Sequence, residues 1–137
     1  ENFEYLDKIV TLEAMGIPLV TLLSIKMNKS FLIIRKRPYF FKDEKKIEQK
    51  TGYSKSSLFI NGLKINDRVV IVDDVLSTGG SLESVLSALK NMGVKVVGVV
   101  VVVDKGLKAD FISKKFDVDV VSLVKIQIKN GVVEILE

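Results

Sequence analysis

Short runs of aliphatic and β-branched residues alternate along the chain with stretches of helical periodicity. Ile9-Val10-Thr11-Leu12 reads as a strand and leads into a turn at Glu13-Ala14-Met15-Gly16. Pro18 suits the first turn of the helix that follows, where a missing N–H loses no partner. That helix is expected to run to Met27 and stop at Asn28, and Phe31 to Ile34 is a second strand. Val69-Val70-Ile71-Val72 is a third, apolar at every position, as expected where helices cover both faces of a sheet. Leu82, Val85, Leu86, Leu89 and Met92 fall at helical spacing, which predicts a helix over 81–92. Gly93 can close it in the left-handed conformation. Val94 to Val103 predicts a fourth strand, Leu107 to Phe116 a short helix, and Val118 to Leu123 a fifth strand. A terminal hairpin over 127–136 would turn at Asn130-Gly131. Repeated strand–helix–strand units predict an α/β fold: a doubly wound, mainly parallel five-stranded sheet in one domain spanning 1–137.

Residues 35–55 break this rhythm. They are charged, contain Pro38 and Gly52, and hold no sustained apolar period. A connection of that length inside a small domain is usually functional or disordered. With a strand over Ser57 to Ile60 at its far end, the stretch reads as a long flexible hairpin. Arg35-Lys36-Arg37, with Lys42, Lys45 and Lys46 diluted by Asp43 and Glu44, is either an anion-reaching segment or a solvated loop.

Composition narrows the chemistry. At 137 residues and 47% hydrophobic content the chain can bury one real core. It has no cysteine, which excludes disulfides and thiolate metal sites and fits a reducing cytoplasm. It has no histidine either, so imidazole catalysis and hydrolase triads are excluded. A divalent metal would need oxygen ligands, which favours Mg²⁺ over zinc. The net charge of +4 can draw in a polyanionic small molecule but is too small and scattered to indicate nucleic acid. No membrane span is expected, because the most apolar run, 94–103, is half the roughly 20 residues a span requires. The chain opens at Glu1 without methionine, so a trimmed or incomplete N-terminus is expected.

The chemistry concentrates where the third strand ends. Val69-Val70-Ile71-Val72 runs into Asp73-Asp74, then Val75-Leu76, then the small residues Ser77-Thr78-Gly79-Gly80-Ser81 at the start of the 81–92 helix. Ligands of open α/β sheets bind beyond the carboxyl ends of the strands. Glycines let backbone N–H groups approach an oxyanion, and a helix N-terminus adds about half a positive charge. Residues 77–81 therefore read as a phosphate cradle without a cationic side chain. Asp73 and Asp74 would repel a phosphate but suit vicinal hydroxyls, with or without a metal. A sugar carrying a diol and a 5′-phosphate satisfies both halves. Acids after a strand and a turn capping a helix are each common, and it is their combination in one strand–turn–helix frame that carries the inference. No lysine follows the glycines, which disfavours an ATP-hydrolysing P-loop.

This segment resembles the 5-phosphoribosyl-1-pyrophosphate (PRPP) binding motif of type I phosphoribosyltransferases. The resemblance implies that Asp73 and Asp74 hold the ribose hydroxyls or a metal and that Ser77, Thr78, Gly79, Gly80 and Ser81 hold the 5′-phosphate. Residues 7–19 are similar to the family's pyrophosphate-loop region, placing Ala14, Met15 and Gly16 on pyrophosphate, with Arg35 and Lys36 reaching the same group. Arg35-Lys36-Arg37-Pro38 and Thr51-Gly52-Tyr53-Ser54-Lys55 look like the two ends of the flexible catalytic loop. Val120 to Ile126 is similar to the last core strand of the adenine branch, and the likeness best fits the adenine-like group that includes archaeal-type hypoxanthine/guanine enzymes. It implies a type I phosphoribosyltransferase fold, Mg²⁺, a homodimer, and PRPP and a purine base as substrates. Hypoxanthine or guanine is the expected base and adenine the next. The family's N-terminal hood is expected to be missing or short.

Several positions keep a second reading. Tyr53 closes over the site or packs on the hairpin; Asp104 and Lys105 lie near the base or form an exposed turn. Met15 stands where many adenine enzymes carry arginine. Ser77 stands where many hypoxanthine-guanine enzymes carry an aspartate proposed as general base, so no proton acceptor is nominated. A rival from another class is a non-catalytic PRPP sensor, although such regulators normally carry a DNA-binding module, and none is visible here.

Overall fold

The structure, a computed structural model, describes residues 5–51 and 54–136. Its elements run β1 (Lys8–Leu12), α1 (Gly16–Met27), β2 (Ser30–Ile34), β3 (Lys45–Thr51), β4 (Ser54–Ile60), β5 (Arg68–Leu76), α2 (Gly80–Asn91), β6 (Lys95–Asp104), α3 (Ala109–Phe116), β7 (Val120–Lys129) and β8 (Val132–Leu136). The main sheet has the order β2-β1-β5-β6-β7-β8. Its first five strands are parallel, as the strand–helix alternation predicts. The terminal hairpin extends the expected five-stranded sheet to six, with β8 antiparallel to β7. Asn130 and Gly131 both take positive φ there, 51° and 78°, the geometry an Asn-Gly pair favours in a tight hairpin.

The continuous apolar character of β5 follows from its central position. Val69 and Ile71 point to one layer, where they meet α2, α3 and the β3–β4 hairpin; Val70 and Val72 point to the other, against α1 and Leu6. A period-2 strand between two covered faces has no polar side to show. Helix α2 buries the stripe Leu82, Val85, Leu86 and Leu89, and each full burial contributes about 1.5–3 kcal/mol. Its end is fixed by Gly93 at φ 72°: the Gly93 N–H donates to Lys90 O and the Val94 N–H to Leu89 O, so the last carbonyls are satisfied. Asn28 ends α1 in the left-handed region at φ 50°.

The charged stretch after β2 does fold as a hairpin, in a separate two-stranded sheet of β3 and β4. It is anchored rather than loosely hung. Ile47, Leu58 and Ile60 are buried in the main core, and Arg35 forms a two-bond antiparallel bridge with Phe59. The alternation along β3 puts Ile47 and Gln49 inward while Lys46 and Glu48 face solvent. The tip at Gly52 and Tyr53 lies outside the described residues.

Candidate active site

Three connections meet at the carboxyl edge of the parallel sheet: 13–15 after β1, 77–79 after β5 and 105–108 after β6. Together with the β3–β4 hairpin, the first two enclose a cleft of about 540 Å³. Its walls bring together Ala14, Met15, Lys36, Asp73, Asp74, Ser77, Thr78, Gly79 and Ser81, so residues distant in sequence share one space.

Strand β5 continues past its apolar run to Leu76, so the two acids lie within the strand rather than beyond it. Both are half-buried. Burial pushes the Asp73 carboxyl up to about 6; hydrogen bonding and charge from Asp74 push the same way, while the Asp74 N–H, 3.0 Å from Asp73 Oδ1, opposes them. Gly16 admits the start of α1 against this acid. A Cβ there would stand 3.0 Å from Asp73 Oδ1 and collide with Thr11 Oγ1.

Beyond Leu76 the chain turns into α2. Gly79 takes φ 85°, and a side chain there would also meet Ile112 Cδ1 at 2.9 Å. Gly79 gives α2 no side-chain cap, and among the described residues its first N–H groups meet only one long side-chain contact, Gly80 N–H to Thr78 Oγ1 at 3.5 Å, at the positive end of the helix dipole beside the cleft. Ser77, Thr78 and Ser81 are exposed around that opening. The turn is braced from behind: Lys105 N–H donates to Leu76 O at 2.8 Å, and a Cβ on Gly106 would overlap the Ser77 carbonyl.

On the other wall, Ala14 and Met15 are exposed and line the cleft, and the Glu13–Ala14 peptide is cis. Gly16 is buried behind them. The Lys36 side chain is exposed to the cleft, while the Lys36 backbone N–H donates to Glu13 Oε2 at 2.8 Å, tying the ends of β1 and β2 together.

Two expected positions are corrected. Arg35 does not reach the cleft. It is 8% exposed and committed elsewhere: its guanidinium donates to Asn61 Oδ1 at 3.0 Å, pairs with Glu44 and lies 4.0 Å from the centre of the Tyr39 ring. Desolvation pushes Glu44 up, but hydrogen bonds from the Tyr39 N–H, Arg35 and the Phe40 N–H hold it below its usual range. Asp104 is neither a base contact nor an exposed turn. It is 1% exposed and accepts the N–H groups of Lys108 and Ala109 at 3.1 and 3.0 Å, capping α3. Lys105 and Arg37 are exposed and stand outside the cleft walls. Ser54 and Lys55 fall in β4, pairing with Thr51 and Lys50.

The structure adds residues that the sequence reading did not single out. Gln49 and Ser56 enter the cleft from the hairpin, and Gly106 supports the 77–81 turn from outside. The signal for Gln49 was its inward register with Ile47; for Gly106 no local pattern marked the contact. Among the described residues no group of three or more acidic side chains converges as a metal cage. The Asp73–Asp74 pair fits a cation that completes its shell with substrate oxygens, which is how Mg²⁺ is commonly bound.

Residues 3–136 match the Phosphoribosyl transferase domain family, and the chain belongs to that family. It is 46% identical over 135 residues to the hypoxanthine/guanine phosphoribosyltransferase of Methanotorris igneus, covering 98% of this chain and 74% of that protein. Against the enzyme of the same name from Methanococcus vannielii it is 47% identical over 131 residues, 96% of this chain and 71% of the relative. Among solved structures, adenine phosphoribosyltransferase from Thermoanaerobacter pseudethanolicus superposes with a TM-score of 0.74 at 28% identity, over 88% of this chain and 70% of that one.

Proposed function

We propose that the chain transfers the 5-phosphoribosyl group of PRPP to hypoxanthine or guanine, giving the purine nucleoside monophosphate and pyrophosphate. The observation that carries this reading is the cleft in which two adjacent carboxylates stand beside a helix N-terminus headed by Gly79, which has no side chain to cap it. The carboxylates accept hydrogen bonds from the ribose hydroxyls, and the N–H groups of 79–81 with the Ser77, Thr78 and Ser81 hydroxyls take the 5′-phosphate. That pair of contacts points C1 of the ribose toward the opposite wall. There the backbone of 14–16 and the Lys36 ammonium meet the pyrophosphate, charge-assisted contacts of about 1.5–3 kcal/mol each.

The reaction has a ribosyl cation-like transition state, so the chain has little covalent chemistry to perform. Its work is alignment, stabilisation of the departing charge and exclusion of water by the hairpin. Asp73 and Asp74, with the substrate's own oxygens, would hold Mg²⁺, whose charge eases departure of pyrophosphate. The preference for an oxopurine over adenine is supported by the two relatives at 46–47% identity, against 28% for the adenine enzyme.

A homodimer working in the cytoplasm completes the reading. The exposed apolar side chains of Leu22, Ile25, Leu123 and Ile135 offer surface for a second copy. Among the described residues no helix is long and apolar enough to cross a membrane. The test is pyrophosphate release from PRPP with hypoxanthine, guanine, adenine and uracil, each with and without Mg²⁺. Release that needs Mg²⁺ and is fastest with hypoxanthine or guanine is expected. Binding of PRPP with no base-dependent release would contradict catalysis, and fastest release with adenine would contradict the base assignment.

A further inference from the structure

Gln49 is a buried amide, 8% exposed, on the strand face that carries the core residue Ile47. Buried amides need partners, and this one has two. Its Nε2 donates to Ser81 Oγ at 2.6 Å, and Ser56 Oγ donates to its Oε1 at 2.5 Å. Ser56 is its direct cross-strand neighbour in the hairpin register, whereas Ser81 is the second residue of α2. All three line the cleft, and β3 packs against α2 at this point. The hairpin therefore touches the 77–81 turn directly.

We propose that Ser56, Gln49 and Ser81 form a hydrogen-bond relay through which an anion in the 77–81 turn holds the hairpin down on the site, with Gln49 as the positioning residue. The inference rests on the assignment of that turn to the 5′-phosphate. A serine hydroxyl donates one hydrogen bond and accepts others. When the Ser81 hydrogen is given to a bound phosphate, its oxygen can only accept from the amide. Gln49 must then present Nε2 to Ser81, which leaves Oε1 for the Ser56 hydroxyl. Phosphate occupancy thus selects one polarity of the relay and satisfies every group in it. With the turn empty, Ser81 can donate to the amide oxygen instead, and the preference for one polarity is lost. A neutral amide also suits the place. A carboxylate there would set another negative charge close to Asp73, Asp74 and the phosphate.

The test compares the wild-type chain with Gln49→Ala, Gln49→Glu and Ser56→Ala. Ribose 5-phosphate and pyrophosphate are titrated separately into each, and KM is measured for PRPP and for hypoxanthine. Ribose 5-phosphate should slow hydrogen exchange at the 45–49 and 56–60 amides of the wild type and fail to do so in Gln49→Ala. Gln49→Ala should weaken ribose 5-phosphate and raise KM for PRPP by about tenfold, with Gln49→Glu more severe and Ser56→Ala milder. Pyrophosphate affinity and KM for hypoxanthine should stay at wild-type values, which a general loss of packing would not allow. Equal ribose 5-phosphate affinity in all four proteins, or equal weakening of both ligands, would overturn the relay while leaving the turn's assignment intact. Failure of the wild type to bind ribose 5-phosphate would overturn the assignment itself and the relay with it.

Discussion

Asp73 carries opposed demands. Held in a half-buried place beside Asp74, its carboxyl titrates near 6 rather than 3.8, so the folded chain holds its charge at a cost. Below pH 3.8 the group is protonated in both folded and unfolded chains and the penalty is absent; above about 6 it is ionised in both, and the folded state bears the penalty in full. Asp73→Asn should therefore raise the stability of the ligand-free protein at pH 7 by on the order of 1 kcal/mol, solvent screening having reduced the effect. The gain should fade as the pH falls through that window to below 4. Chemical denaturation of both proteins at pH 7 and pH 3.5 measures it; a loss of stability at pH 7 would contradict the electrostatic account. Arg35 offers the converse case. Its partners are Glu44, Asn61 and Tyr39 rather than any group in the cleft. Arg35→Ala should lower Tm by at least about 5 °C while leaving PRPP affinity within a factor of about two, since additivity holds for sites without shared partners. A large drop in PRPP affinity without a fall in Tm would return Arg35 to the site.

At the scale of elements, the site depends on how closely three connections approach one another. Gly106 shows this most clearly, because its missing side chain is what lets the β6–α3 connection brace the Ser77 carbonyl. Gly106→Ala should distort the turn at a cost of about 1–3 kcal/mol and weaken ribose 5-phosphate binding, although the residue is not part of the cleft wall. Unaltered stability and binding would mean that the connection simply shifts aside. The strand–turn–helix segment at 69–82 was legible in the sequence because all of its signals are local: apolar run, acids, glycines, then a helical stripe. Asp104 was not. A short acid after a strand looks the same in sequence whether it faces a ligand or folds back onto the N–H groups four and five residues later. Arg35 was misread for a similar reason, since its partners Glu44 and Asn61 flank the base of a hairpin whose register the sequence leaves open.

Across the whole molecule, the parallel core was readable because its central strands β5 and β6 carry aliphatic runs, Val69 to Val72 and Val99 to Val103. The sixth strand was visible as a hairpin but not as a continuation of the sheet, because β7 runs on to Lys129 and carries β8 with it. Leu22, Ile25, Leu123 and Ile135 remain exposed, apolar surface that the proposed homodimer would cover in part. Light scattering on the eluting protein should give the mass of two chains, and a single-chain mass at micromolar concentration would contradict the dimer.

In the proposed function, the cleft above β5 grips a phosphorylated sugar through Asp73 and Asp74 on one side and the 77–81 amides on the other. Calorimetric titration of PRPP into the wild type and into the Asp73→Asn/Asp74→Asn double variant tests it most directly. Saturable one-site binding to the wild type is expected, with an affinity roughly 10–100-fold lower in a variant that remains folded. Equal affinity in the two proteins would contradict it.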